Sequence, residues 1–551
     1  MSEARGLSPG AAAALCLGLA LPFLTKPVHL DDANFLVLAR GAALDPWRPH
    51  AVTINWQGTT ERAFDVLSNP PGIGWWLAPF WDAPVWAQRA WMLPWLLPAL
   101  LGAWVLGQRV ARRGAEAMVL ICAAPSAALA AGALMPDLPL LGLTLLGMSL
   151  LLGGWPRAGA LVIGLGAVFR YSALGLVPVA ALAGALAAPP GRRLGGGAVC
   201  FSLALAPALG LAAHDLDAYG EVHLLAMVGF QAVSNDEDAI LHKLGALVAG
   251  LGGALALPTL GGRRTRLRGA AVGAALGLLL GRAAGHAGIG LLWTTLMVAA
   301  GGATLEAARV SMRGHPKTRA RALGLWLLCG LLFLLTLRFA AARYWLPFFA
   351  PAVLLPLKDA PVRRVRLATT LAPLLALLLV ADDARLAWAQ RQLAQWAADT
   401  RLADRPARFA GHWGWQHHLE SVDLRPLDDD QALPVGTVLL RSAAAWPQSP
   451  GPGCWRELGA AELGPALPLP RVHTRDGLGN IHSYVISGEP PLPVLAPWGF
   501  GMDPYDRATA WQARACGPGE APGPLPVGDG WGGAPPPDVI DAAEGEPPDG
   551  G

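Results

Sequence analysis

The chain has 551 residues, 53% of them hydrophobic and 15% charged, with a net charge of +3 and a mean hydropathy of +0.40. That composition is too apolar for a soluble globular protein and calls for many membrane spans in a lipid bilayer. The small net charge gives no basis for a nucleic-acid partner, so the positions of the basic residues carry topology instead.

Apolar runs of spanning character fall at about 7–25, 85–107, 115–134, 138–154, 158–169, 172–188, 195–213, 240–260, 269–285, 287–305, 322–338, 345–357 and 367–381. Basic clusters lie between them: Arg109/Arg112/Arg113, Arg192/Arg193, Arg263/Arg264/Arg266/Arg268, Arg313/Lys317/Arg319/Arg321 and Lys358/Arg363/Arg364/Arg366. Positive residues stay on the cytoplasmic side, which puts the N-terminus inside and the C-terminus outside. The first run is longer than a signal-peptide core and has no clear cleavage site, so it is read as retained.

Residues 26–84 form a long external loop that opens on His29-Leu30-Asp31-Asp32. Carboxylates at a membrane surface are costly to desolvate and mark binding or chemistry; the plain alternative is that Asp31 caps a short helix from Asp32 to about Ala43. The apolar residues Phe35, Leu36, Leu38 and Ala39 suit a helix lying in the membrane interface. The loop returns through Asn69-Pro70-Pro71 and a stretch with Trp75, Trp76, Trp81, Trp86, Trp91 and Trp95, which reads as an aromatic belt. Met135-Pro136-Asp137 fills a short external turn, and a polar external loop spans about 214–239.

Residues 382–516 read as a small external α/β domain. A helix at about 383–400 is followed by strands at Ala407–Ala410 and Val435–Leu440 and a hairpin over Val472–Ile486. Cys454 and Cys516 in this domain can form a disulfide or remain two thiols. The segment 517–551, rich in Pro, Gly and acid, is expected to be disordered. His412, His417 and His418 lack zinc-site spacing. No phosphate loop, dinucleotide fingerprint or hydrolase elbow is present, which argues against a nucleotide-sugar donor.

In order along the chain stand an acidic pair after the first span (Asp31-Asp32), Asn69-Pro70-Pro71 before the second, Asp137 in a short turn, and Arg343-Tyr344-Trp345-Leu346-Pro347 at the outer end of a late span. Together these resemble the membrane-embedded GT-C glycosyltransferases, in particular the family 39-like bacterial relatives of protein O-mannosyltransferases and of the lipid A aminoarabinose transferase. The resemblance covers the layout of residues 1–381 and implies a polytopic α-helical membrane protein of the GT-C type, with about 13 transmembrane helices and a small C-terminal periplasmic α/β domain.

It implies transfer of a sugar from a polyprenyl-phosphate donor to a lipid, polysaccharide or protein acceptor at the periplasmic face of a bacterial inner membrane. Asp31 aligns with the family's catalytic acid and is the candidate base, Asp32 orients it, binds acceptor or has its own pKa raised by the like charge beside it, and Asp137 matches the short-turn acid or simply caps its helix. Arg343 first and Arg170 second are candidates for the lipid phosphate, because cations at outer span ends depart from the positive-inside rule; Arg282 and Arg338 are read as snorkelling. The family's lysine before the two prolines is Asn69 here, which keeps hydrogen bonding and loses charge. No cofactor is implied, and a divalent metal is left open. The rival readings are a transporter or flippase, which would place its charges near the midplane, and a non-catalytic envelope scaffold.

Overall fold

The computed structural model describes residues 7–56, 58–232, 237–337, 341–400, 405–474, 478–482 and 494–526. Among these, five helices are long and apolar enough to cross a membrane: Val85–Ala111, Pro190–Tyr219, Gly288–Gly314, Lys317–Thr336 and Val362–Thr400. The protein is a multi-pass membrane protein, mostly helical.

The thirteen expected spans are not matched one for one. The run at 115–134 is a pair of helices, Gly114–Cys122 and Pro125–Ala131, bent by 72°. Pro125 sits in the first turn of the second helix, where its missing N–H costs nothing but the preceding helix cannot continue through it. The run at 345–357 contains only the eight-residue helix Ala350–Leu357. The run at 240–260 ends in a π-helical turn, Leu251–Leu255. Other apolar helices, including Pro9–Phe23, Asp137–Leu151 and Pro156–Phe169, are shorter than a spanning helix.

The loop 26–84 has a core of its own. Helix Asp32–Leu44 buries Phe35, Leu36, Leu38 and Ala39 against Ile54, Ile73, Leu77, Met92 and Leu134. The face expected at the membrane interface therefore packs inside the protein, while Leu44 at the helix end stays exposed. The cover fits closely: a Cβ on Gly74 would lie 3.0 Å from the Leu38 carbonyl oxygen. Trp76 and Trp91 stack with centroids 5.0 Å apart and each donates its indole N–H to the other's carbonyl. Trp81 and Trp86 stay exposed.

Val362–Thr400 is one helix of 39 residues, so the expected boundary at 381/382 lies inside a helix. Its last turns pack Leu393, Ala394 and Ala397 against Phe409, Val438, Leu440, Ala508 and Ala510 of a five-stranded sheet. The strand order is Arg425–Pro426, Ala407–Ala410, Val438–Ser442, Asp506–Arg514, Cys454–Leu463. The first three are parallel and the last two antiparallel, giving a small mixed α/β unit. Of the expected hairpin, Ile481 N–H donates to the Val472 carbonyl; positions 475–477 and 483–493 lie outside the described residues.

The tail departs from expectation at its start. Gly523 bridges to Gly453 and Leu525 is buried, so 517–526 packs on the sheet, and the part from 527 lies outside the described residues. Cys454 and Cys516 are joined in a disulfide that closes a separation of 62 residues. Replacing both by serine is expected to cost roughly 2–4 kcal/mol of stability. The check is a melting curve of the full-length protein in detergent; an unchanged melt would show that the bridge constrains nothing.

Candidate active site

The acidic motif is held by a strained turn. Leu30 has φ +47°, a left-handed conformation that a branched side chain adopts only under constraint. Asp31 then takes the N-cap position of Asp32–Leu44, but its carboxylate makes no capping bond. It instead accepts a hydrogen bond from Arg343 Nη2 at 2.5 Å and keeps 26% of its side chain exposed. Adjacent carboxylates on one helix diverge, and Asp32 goes the other way.

Asp32 is fully buried, 2.7 Å from Arg89 Nη2, and its other oxygen accepts the Leu134 N–H. Burial alone would raise its pKa, but the Arg89 guanidinium, with His29 and Lys26, holds it well below the usual carboxylate range. Arg89 also donates to the carbonyls of Lys26, Pro27 and Gly132. Both Asp32 oxygens are thus occupied by protein. Sequence reasoning missed Arg89, although a lone arginine among the tryptophans outside the basic clusters was a legible exception to the charge rule.

Asp137 opens helix Asp137–Leu151. One oxygen accepts from Arg170, and the other lies 3.9 Å from Arg343 Nη1 without a hydrogen bond. Arg170, at the end of helix Pro156–Phe169, and Arg343, in the Ala342–Trp345 turn, share the Tyr344 ring at 4.3 and 5.5 Å. Burial opposes the Arg343 charge, but Asp31 and Asp137 hold its pKa above the usual value. Four segments distant in sequence therefore bring together Asp31, Asp137, Arg170 and Arg343.

Asn69 belongs to a different cluster, where its backbone carbonyl accepts from His50 and His50 rests on Phe64, Tyr219 and His223. Arg282 is exposed, and Arg338 lies outside the described residues. His412 and His418 face the backbone carbonyls of Asn55 and Val28 and form no common site.

A second polar cluster, which the sequence did not reveal, forms around Asp383. Asp383, from the middle of the long helix, is 2.7 Å from Lys26 Nζ, 2.9 Å from His29 Nε2 and 3.1 Å from His482 Nε2. The neighbouring Asp382 accepts from Tyr505 Oη at 2.6 Å and from the Val472 N–H, which ties the C-terminal unit to the same helix. A small cavity joins the two clusters, lined by Lys26, His29, Ser126, Asp137, Arg343 and Asp383 among others. Several buried polar atoms on its wall make no hydrogen bond: Ser126 Oγ, Asp137 Oδ2 and Arg343 Nε. Such a site can hold an oxyanion against the guanidiniums and take a proton on a carboxylate.

Two solved proteins are similar to this chain. One is ArnT from Cupriavidus metallidurans bound to undecaprenyl phosphate, at 14% identity and a TM-score of 0.37 over 78% of this chain and 92% of that one. The other is the oligosaccharyltransferase AglB from Archaeoglobus fulgidus in complex with an inhibitory peptide and a dolichol-phosphate, at 12% identity and a TM-score of 0.43 over 79% of this chain and 69% of that one. An Archaeoglobus fulgidus oligosaccharyltransferase in complex with Zn and sulfate matches at 13% identity with a TM-score of 0.44, over 79% of this chain and 68% of that one. No protein-family model matches the sequence, and no curated protein matches it.

Proposed function

We propose that the protein is a membrane glycosyltransferase that moves a sugar from a polyprenyl-phosphate donor to a lipid, polysaccharide or protein acceptor, with Asp31 as general base. The observation that carries this reading is the Asp31–Arg343 pair: a partly exposed carboxylate, not spent on capping, against a partly buried guanidinium at the cavity that Asp137 also faces.

The chemistry follows from exchange of partners. A phosphate entering this site competes for Arg343 and Arg170, because a guanidinium forks onto phosphate oxygens as well as onto carboxylates. Taking Arg343 from Asp31 frees that carboxylate. The acceptor hydroxyl then attacks the anomeric carbon, its proton passes to Asp31, and the sugar–phosphate C–O bond breaks with its electron pair leaving on the lipid phosphate. The two arginines stabilise that charge, which supports reading them as the replacement for the cation that Asn69 does not supply. Asp32 acts through Arg89 to hold the turn.

The acceptor side of the reading rests on charge topology: the basic clusters mark the cytoplasmic side, so the site and the C-terminal unit face the periplasm of an inner membrane. The test is comparative mass spectrometry of envelope glycolipids and glycoproteins from a deletion strain and the deletion restored with the wild-type gene. One saccharide-bearing species should vanish in the deletion and return on restoration, and its mass names sugar and acceptor. Identical glycan profiles in the two strains would sink the reading and favour a transporter or scaffold.

A further inference from the structure

We propose that His29, Asp383 and His482 form a binding site for a divalent transition-metal ion of the zinc class, on the wall of the cavity that Asp137 and Arg343 also line. The proposal goes beyond the transfer reading and does not depend on it. The ligand atoms of the three residues lie within 4.8 Å of one another. Asp383 Oδ1 is 2.9 Å from His29 Nε2 and 3.1 Å from His482 Nε2. Around a tetrahedral ion with bonds of about 2.0–2.1 Å, neighbouring ligand atoms stand about 3.3 Å apart, so the carboxylate already stands near the right distance from both rings and the two imidazole nitrogens close toward each other on binding. Two imidazoles and a carboxylate are a donor set that zinc accepts with a further position left open. Here the open side is the cavity lined by Ser126, Met135 and Arg343.

The surroundings favour an ion over a simple hydrogen-bonded network. His29 Nδ1 lies 3.6 Å from Asp32 Oδ2 and makes no hydrogen bond. If a neutral His29 donates its Nε2 proton to Asp383, the Nδ1 lone pair is left facing the Asp32 carboxylate, which repels it. With Nε2 on a metal the proton sits on Nδ1, and the ring points it at Asp32: the carboxylate–histidine–metal arrangement that fixes the tautomer of metal-bound histidines. The remaining Asp383 oxygen is held by Lys26 Nζ at 2.7 Å, so the carboxylate is oriented from outside as well. The three ligands come from the loop after the first helix, the long helix and the C-terminal unit, so the ion would pin all three at one point.

The test uses full-length protein in detergent, stripped with chelator, equilibrated with Zn²⁺ and desalted, with metal content read by mass spectrometry. A parallel sample with Co²⁺ is read by visible absorption. Wild type should retain about one ion per chain and show the intense cobalt bands of a low-coordinate site. His482→Ala and Asp383→Asn should each weaken retention by about tenfold or more, while His418→Ala, whose ring bonds the Val28 carbonyl, should retain the ion. If Asp383→Asn does not fold, His482→Ala decides alone, since that side chain is 17% exposed. Wild-type ion content in His482→Ala, or no retained ion in wild type, would overturn the proposal and leave a hydrogen-bonded imidazole–carboxylate network only. Because the readout is metal content, its failure is separate from any failure of transfer.

Discussion

Asp31→Asn is expected to lower sugar transfer by about 10²–10⁴-fold, the usual contribution of a positioned general base, with expression and melting temperature unchanged. The structural reason for sparing the fold is specific. The Asp31 carboxylate makes no capping bond and lies 26% exposed, so an amide of the same shape leaves no buried group unsatisfied. The amide oxygen can still accept from Arg343, but it cannot take the acceptor's proton. Removing the negative charge also releases Arg343 from a competitor, so donor affinity should hold or improve while the rate falls. The measurement is initial-rate kinetics of purified protein with a polyprenyl-phosphate sugar, alongside a melting curve. Wild-type rates in the variant would end the assignment of Asp31 as base; a lost fold would show that its pairing with Arg343 is structural.

Much of the site's composition was legible because charge is costly where lipid begins. Asp31, Asp137, Arg170 and Arg343 each stand at the end of an apolar run, and the structure puts the four in contact. What could not be read was division of labour inside the acidic pair, since a helix sends adjacent side chains to different neighbours and nothing in sequence says that Asp32 will meet Arg89. Asp383 was hidden for another reason. A domain boundary drawn at residue 381 made it look like the start of a soluble helix, whereas it lies mid-helix and pairs with Lys26 across 357 positions. A pair of carboxylates in so apolar a helix was the available signal. At Pro125 the expected span is a pair of helices bent by 72°, which hydropathy averages over as if the chain were straight.

Arg89→Met is expected to be the most destabilising single change, costing about 3–5 kcal/mol, the range for stripping one partner from a buried ion pair. Asp32 has no exposed surface and would lose its cation, while the carbonyls of Lys26, Pro27 and Gly132 would lose their donor together. Because the folded-state pKa of Asp32 is depressed, its contribution is fully present above the unfolded value of about 3.9 and is lost only as pH falls through the lower folded value. At neutral pH the pair is therefore fully formed and its removal is felt in full. A methionine keeps the apolar stem, so the loss measures charge and hydrogen bonds together with the space the guanidinium vacates. Adding Asp32→Asn to Arg89→Met should recover part of the stability, because the stranded charge is then gone. Melting curves of the two single variants and the double variant give the coupling. A loss under about 1 kcal/mol for Arg89→Met would place the pair in the class of surface ion pairs and remove the reason for treating Asp32 as the anchor of the turn. If the anchor holds, Arg89→Met should lose transfer together with the fold of loop 26–84, whereas Asp31→Asn loses transfer alone; that contrast separates the residue that positions the turn from the residue that the turn presents.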